Sequence, residues 1–434
     1  MISNRDDIAQ TRAVIEVEGE AIDGCSAFSY QSDVLAVGDP FSVTVPNPRG
    51  KYTAKFMPGA KVQLKLSNPR VNGGALTLKH TGRLIERQAS SDRSGTRIQL
   101  GCADLGWHLV TCSGPLTYNL QRGTFGDLFT ARGISVFTEQ ELPGLFDPRW
   151  GIAGAYDGPR GTWKATILTT NRTSLEQRLG ERVTLTKSQA AAANLTGVFQ
   201  RVYAIQVEAG DKVFDILLEC ARRFNLLVNV SSDGYMQVWS PDYNRKPLYR
   251  IEYHDDARRD RNNVESVRLI DSITGRYTEV TCVGEVVGLE FAKLNPNDPN
   301  AGRVYGTFSR PVLPFTYRNT FCDGELWKSD LAEKQAEWRY KREFFDSWTY
   351  EVQVKGHHQN GRWWESDTMV AVDDSVTGVQ GNLYCSAVHY DSTPEGDVAH
   401  LTLKLPNLLS AAFGELEAPP NARFNSNITR AISK

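Results

Sequence analysis

The stretch Trp348-Thr349-Tyr350-Glu351-Val352-Gln353-Val354-Lys355 alternates without a break, apolar at every even position and polar at every odd one. Side chains of a strand point to opposite faces in turn, so such a segment is a strand with one face buried. Strands near Met369-Val370-Ala371-Val372, Leu383 to Val388 and Ala399 to Leu405 follow it, with an Asn360-Gly361 turn between, and together they read as an antiparallel meander. Pro406 stops the pattern, and Ala418-Pro419-Pro420 opens a tail.

The first hundred residues carry the same signature. Val14 to Val17, Phe41 to Val45, Lys61 to Leu66 and Ala75 to Leu78 alternate with a period near two. Breakers separate them at Pro46 to Gly50, Met57-Pro58-Gly59, Ser67-Asn68-Pro69 and Asn72-Gly73-Gly74. Gly82 is expected to begin a further strand through Arg83 to Glu86, and Ile98 to Leu100 another. The pattern predicts a small β-barrel or sandwich.

Between the two β regions the reading is mixed. Pro143 to Gly161 is rich in Gly and Pro with isolated aromatics, which suggests a long irregular insertion that is functional or lies at an interface. In 211–224, Val213, Ile216, Leu217, Cys220 and Phe224 recur at helical spacing, and Asp211 can cap the first turn. A hairpin follows, with Leu226 to Val230 and Met236 to Trp239 joined through Ser232-Asp233-Gly234. Strands at Val264 to Leu269 and Tyr277 to Val283 flank a Thr274-Gly275 turn, and Asn295 to Gly302 is a loop by composition. Asp330 to Glu333 matches a capping box. The helix after it is expected to set Leu331, Gln335, Trp338 and Arg342 on one side.

Composition bounds the function. The 434 residues hold 49 basic and 51 acidic side chains, a net charge of -2, so bulk charge does not draw the chain to nucleic acid or anionic lipid. Residues 323–434 carry the acidity, with 11 basic and 17 acidic side chains. The seven cysteines lack CxxC spacing and read as small buried apolar groups in a reducing compartment. The polar start Met1 to Asp7 is no secretory signal, and no stretch reaches the ~20 apolar residues of a membrane span. The Asn-x-Ser/Thr triplets at Asn171, Asn194 and Asn427 are then chance matches.

Chemistry is sparse. No phosphate-binding loop, dinucleotide fingerprint or nucleophile elbow is present, and no catalytic, cofactor or metal residues are assigned. His357 and His358 are adjacent on an extended chain, so they face opposite ways and read as exposed loop histidines beside the Asn-Gly turn. His254-Asp255-Asp256 with Arg258, Arg259, Asp260 and Arg261 could bind phosphate or a carboxylate. Its interspersed signs favour a solvated loop or an interface ion-pair network. Trp327, Trp338, Trp348, Trp363 and Trp364 could line a sugar groove, but their strand and helix placement favours core or subunit contact.

Two segments carry family resemblances. Gly210-Asp211-Lys212-Val213-Phe214-Asp215-Ile216-Leu217 resembles the opening of a peptidoglycan-binding LysM module, over some twenty residues. The wider order is more specific. Phe41 to Val45, Gly59 to Leu64, Thr81 to Ile85 and Cys102 to Leu105 precede the helix and the Asp233-Gly234 hairpin. Asn262 to Val267, Gly275 to Gly284, Ala336 to Arg342, Asn360 to Trp364, Val379 to Leu383 and Leu401 to Pro406 follow. This order resembles the baseplate hub proteins of contractile-tailed, Mu-like phages over most of the chain, with 135–200 as a departure.

The resemblance implies a mainly β protein with two β-barrel tube-like domains flanking a mixed α/β, LysM-like region. The N-terminal tube domain would span 1–105, the mixed domain 106–247, the first part of the second tube domain with its helix 248–345, and the C-terminal strands and tail 346–434. It implies a homotrimer in the tail baseplate of the virion, assembled in the host cytoplasm, that adapts the sixfold tail tube to the threefold central spike. Tail tube, spike, baseplate wedge and tape measure proteins would be its partners, and DNA would pass through its lumen without specific binding. No enzyme activity and no cofactor are implied. The alternatives are a peptidoglycan-binding or cell-wall-degrading tail protein, and the equivalent hub of a contractile injection system.

Overall fold

The computed structural model describes residues 10–92, 95–111, 243–285, 303–323 and 329–409, and only short strands and single residues between 119 and 241. Seven strands form the N-terminal half: β1 (Arg12–Val17), β2 (Glu20–Ile22), β3 (Ala27–Asp33), β4 (Pro40–Pro46), β5 (Lys61–Ser67), β6 (Thr77–Asp92) and β7 (Gly95–Asp104). The short helix α1 (Trp107–Thr111) follows, and β8 (Leu227–Val230) pairs with β9 (Met236–Trp239) as the expected hairpin. Then come β10 (Tyr249–Tyr253), β11 (Ser266–Asp271), β12 (Glu279–Glu285), β13 (Arg303–Ser309), β14 (Arg318–Cys322) and the helix α2 (Ser329–Ser347). The chain ends its described course with β15 (Trp348–Lys355), the small hairpin β16 (His358–Gln359) and β17 (Arg362–Trp363), β18 (Thr368–Asp374), β19 (Gln380–Thr393) and β20 (Gly396–Lys404).

The protein is mainly β. Thirteen strands join in one sheet of order β11-β15-β20-β19-β3-β4-β7-β6-β5-β1-β2, with β18 beside the first half of β19 and β10 on β18. The described ladders run as this open path, and none among the described residues closes either half into a ring. A second sheet, β13-β12-β14, stands apart with α2 packed on it.

The two halves of the large sheet are built alike. In chain order and in sheet order, β3, β4, β5, β6 and β7 correspond to β11, β15, β18, β19 and β20, and every ladder among them is antiparallel. A constant shift of 301 residues carries the β6–β7 register onto that of β19–β20: Arg83↔Ala103 becomes Tyr384↔Lys404, and Asp92↔Gly95 becomes Thr393↔Gly396. Even the bulges coincide, between Leu84 and Glu86 and between Cys385 and Ala387. Each hairpin returns through a glycine at positive φ, Gly95 at 132° and Gly396 at 145°, a conformation open to glycine at no steric cost. The inward rows match as well, with Phe41, Val43 and Val45 of β4 standing where Tyr350, Val352 and Val354 of β15 stand, all buried.

Three expectations are corrected. Thr77-Leu78, the end of the expected Ala75–Leu78 strand, and Gly82–Glu86 are parts of one long strand, β6, and Gly82 lies inside it; a Cβ there would sit 1.9 Å from the Ala103 carbonyl oxygen, so only glycine admits the close approach. The C-terminal strands are not a meander, because β15 pairs β20 rather than β18, which places the last strand in the middle. The buried side of α2 is Ala332, Ala336, Tyr340 and Phe344 rather than the side holding Gln335, Trp338 and Arg342, which are half-buried. Small residues fill the first two turns because the helix backbone approaches β13 closely. Lys341 is also buried, its ammonium 2.7 Å from Glu337 Oε1. Most of the 135–200 insertion apart from short strands at Ala155–Tyr156, Trp163–Thr166 and Thr184–Leu185, most of the 211–224 helix, the 295–302 loop, the 418–420 tail, Trp327, Cys112 and Cys220 lie outside the described residues.

Candidate functional site

The seam between the halves is the ladder of β3 with β19, running from Phe28↔Ser392 to Asp33↔Ala387. Tyr30 faces Tyr390 across it, with ring centroids 5.5 Å apart. Tyr390 is fully buried, donates its hydroxyl to the Trp364 carbonyl, and stacks on His357 at 4.5 Å and 13°. His357 is fully buried, which overturns the exposed reading. The Asn360-Gly361 turn is real, but His357 precedes it on the core side, where its ring fills the space between Phe28 and Tyr390. Its Nε2 donates toward the carbonyls of Asp391 and Val398, each at 3.1 Å, which leaves Nδ1 to accept from the Thr11 hydroxyl at 3.1 Å. Asp397 closes the network, accepting the Thr11 N–H at 2.5 Å and the Ser392 hydroxyl at 2.7 Å.

Burial pushes the His357 pKa down from its ordinary 6.5, against the opposing pull of Asp397 at 3.8 Å. A folded value below the unfolded one means the unfolded chain takes up the proton first. Stability from this ring is complete above pH 6.5 and is lost as the pH falls below it. The stability advantage of the wild-type chain over His357→Gln is therefore expected to shrink between pH 7.5 and pH 5, read as the Tm difference at each pH. A difference that widens toward acid would refute the assignment.

The sheet has a dry face and a polar one. Phe28, Tyr30, Phe41, Val43, Ile98, Leu100, Val352, Val388, Leu401 and Leu403 pack inward. Alternation then puts Arg268 of β11, Glu351 and Lys355 of β15, His400 of β20, His389 and Asp391 of β19, Ser29, Gln31 and Asp33 of β3, Ser42 and Thr44 of β4, Arg97 and Gln99 of β7, and Glu86 and Gln88 of β6 on the opposite face. Cationic and anionic groups are interspersed there, and several pair, as Arg268 with Glu351 at 3.5 Å and His389 with Asp391 at 3.0 Å. No group of metal-ligating side chains able to hold an ion occurs among the described residues.

His254 is buried, with its Nδ1 at 3.1 Å from the Ser375 hydroxyl, while Asp256 pairs with Arg258 at 2.9 Å in an exposed turn. That is the mixed-charge loop expected of interspersed signs. Trp348, Trp363 and Trp364 lie in the core and Trp338 is half-buried, so these rings do not form an open groove. Cys102, Cys282 and Cys385 are buried, Cys25 is half-buried, and Cys322 is exposed on β14. The residue the sequence reading missed is Tyr390, and with it the whole of β3. No helix among the described residues is long and apolar enough to cross a membrane.

This fold, a sheet made of two like halves with a helix-backed side sheet, is that of phage tail proteins. A tail protein from Neisseria meningitidis matches with a TM-score of 0.65 and 17% identity, over 92% of this chain and 98% of that one. The 43 kDa tail protein of prophage MuSo2 from Shewanella oneidensis matches with 0.62 and 16%, over 91% and 98%. A chain of the PdpA-VgrG complex from Francisella matches with 0.53 and 9%, over 93% of this chain and 59% of that one. At these identities the likeness is one of fold. No protein-family profile and no curated protein matches the sequence.

Proposed function

We propose that the chain is the baseplate hub of a contractile phage tail. Three copies form a ring that adapts the sixfold tail tube to the threefold central spike. The observation that carries this reading is the internal repeat: each chain holds the five-strand unit twice, so three chains present six like units to a hexameric tube. The polar face lines the bore, through which tape measure protein and then DNA pass. Its mixed charge suits a conduit, since a wall rich in Lys and Arg would hold phosphates. Residues 1–105 and 248–434 supply the two tube-like domains and 106–247 the region between them. Tail tube, spike and baseplate wedge proteins are the neighbours, the site of action is the virion tail after assembly in the host cytoplasm, and the role needs no catalytic group. Burial of Trp348, Trp363 and Trp364 speaks against a sugar groove built on these rings.

Light scattering of the purified chain with its spike partner tests this. A trimer of 48.4 kDa chains, about 145 kDa before the spike is counted, is expected. A chain that stays monomeric with the spike present refutes the hub.

A further inference from the structure

In the C-terminal unit, β19 pairs β20 from Tyr384 to Thr393 on one edge, while on the other β18 takes Gln380 to Cys385 and β3 takes Ala387 to Ser392. In the N-terminal unit, β6 pairs β7 from Gly82 to Asp92, but β5 reaches only from Thr77 to Arg83. Beyond the Leu84 contacts with Gly59 and Ala60, the edge of β6 has no strand partner among the described residues. At the far end of the sheet, β11 pairs β15 on one edge and, among the described residues, no strand on the other. The strand that is missing on β6 is the counterpart of β3, and the counterpart of β3 is β11.

We infer that β11 of one copy pairs with β6 of a neighbouring copy, antiparallel, in the register the chain already uses at its own seam. Carrying β3 onto β11 and β19 onto β6 turns Tyr30↔Tyr390 into Leu269↔Ala89, Ser29↔Asp391 into Arg268↔Ser90, and Phe28↔Ser392 into Val267↔Ser91. The surfaces agree with this. Ala89 is exposed where its counterpart Tyr390 is fully buried, and Val267 and Leu269 are half-buried where Phe28 and Tyr30 are buried. The small Ala89 and Ser91 leave room for the larger Leu269 and Val267. Arg87 falls opposite Asp271, an attractive cross-strand pair, although each also has a partner in its own chain, the Phe56 carbonyl at 3.0 Å and Arg276. Faces agree too, dry with dry and polar with polar, so the polar face runs on across the joint. An unpaired strand edge is a liability that natural sheets cover, and this contact covers both edges at once.

The pairing is head to tail, so it repeats until the ring closes. The inference rests on the trimeric reading for the number of copies. Three copies then contribute eight strands each from β11 through to β6, 24 in all. At a strand spacing of about 4.8 Å and a tilt of about 40°, such a ring closes at a backbone diameter of about 48 Å.

Disulfide trapping tests the register. Directly opposed residues of antiparallel strands have Cα atoms about 4.5 to 5.5 Å apart, within disulfide reach, whereas Ser90 and Arg268 of one chain are separated by about 34 Å of sheet. In a Cys322→Ser background, the full chain carrying Ser90→Cys and Arg268→Cys is oxidised and run on a non-reducing gel. Covalent dimers and trimers should form at least about tenfold faster than with Gln88→Cys and Arg268→Cys, which share the face but are two residues out of register. All three positions are exposed or half-exposed on the polar face, and unchanged Tm values confirm intact folding. Equal trapping by both pairs, or none, in a sample that sizes as a trimer overturns the edge pairing and leaves the hub reading standing. A sample that sizes as a monomer with the spike present overturns both.

Discussion

Tyr390→Ala is expected to cost about 4 kcal/mol of folding stability, the upper range for removing a buried aromatic ring. The ring touches the seam on every side, with Tyr30 at 5.5 Å, His357 stacked at 4.5 Å and Trp363 at 6.4 Å. These neighbours belong to β3, to the turn after β15 and to β17, so a cavity there cannot collapse without moving three elements. Tyr390→Phe separates packing from the hydroxyl. It keeps the ring and removes only the bond to the Trp364 carbonyl, so about 1 kcal/mol is expected. Urea unfolding of the two variants decides the matter. Equal losses would mean that the hydrogen bond, not the packing, holds the seam, and a loss below about 1.5 kcal/mol for the alanine variant would mean that the seam is no stability centre.

The fold was legible wherever alternation was unbroken. β15 and β4 place Tyr350, Val352 and Val354, and Phe41, Val43 and Val45, on one buried face, as the letters alone require. β3 was not legible, because its third inward residue is Ser32, whose hydroxyl is satisfied by Ser366 at 2.8 Å inside the core. A buried pair of serines looks like surface in a sequence. β10, with Tyr249 and Ile251 buried, carried a readable alternation over only five residues, too short to separate from a loop.

The repeat was hidden for a different reason. Two ladders superpose by a constant shift although Glu86 and Arg87 stand where Ala387 and Val388 stand. A ladder asks only for the right parity and the right bulge, and many letters supply both. The residue-level difference that does matter is Ala89 against Tyr390: one unit meets a strand of its own chain, while on the present reading the other meets a neighbour. His357 was misread because turn chemistry fixes where the chain reverses, not which side chain beside the turn is taken into the core.

The second large effect is expected at Gly306 on β13. A Cβ there would lie 2.0 Å from the Glu333 backbone nitrogen and 2.4 Å from the Ala332 carbonyl carbon. Both are main-chain atoms of α2, so no side-chain rotation relieves the clash, and the helix itself must withdraw. Ala332 and Ala336 are fully exhausted as spacers, since both are buried without residual exposure. Withdrawal is not local, because α2 ends at Ser347 and β15 begins at Trp348 with no linker between them. Moving the helix pulls on a strand of the large sheet that is paired on both edges, by β11 and β20. Gly306→Ala is therefore expected to cost about 3 kcal/mol, at the high end for overpacking, and Gly306→Val more. Thr307→Ala, one residue on and facing solvent, should cost less than about 0.5 kcal/mol and serves as the control. Denaturant unfolding followed by far-ultraviolet circular dichroism reads all three. If Gly306→Ala matched the Thr307 control, the close seating of α2 on β13 would be wrong, and with it the account of why small residues line that side of the helix.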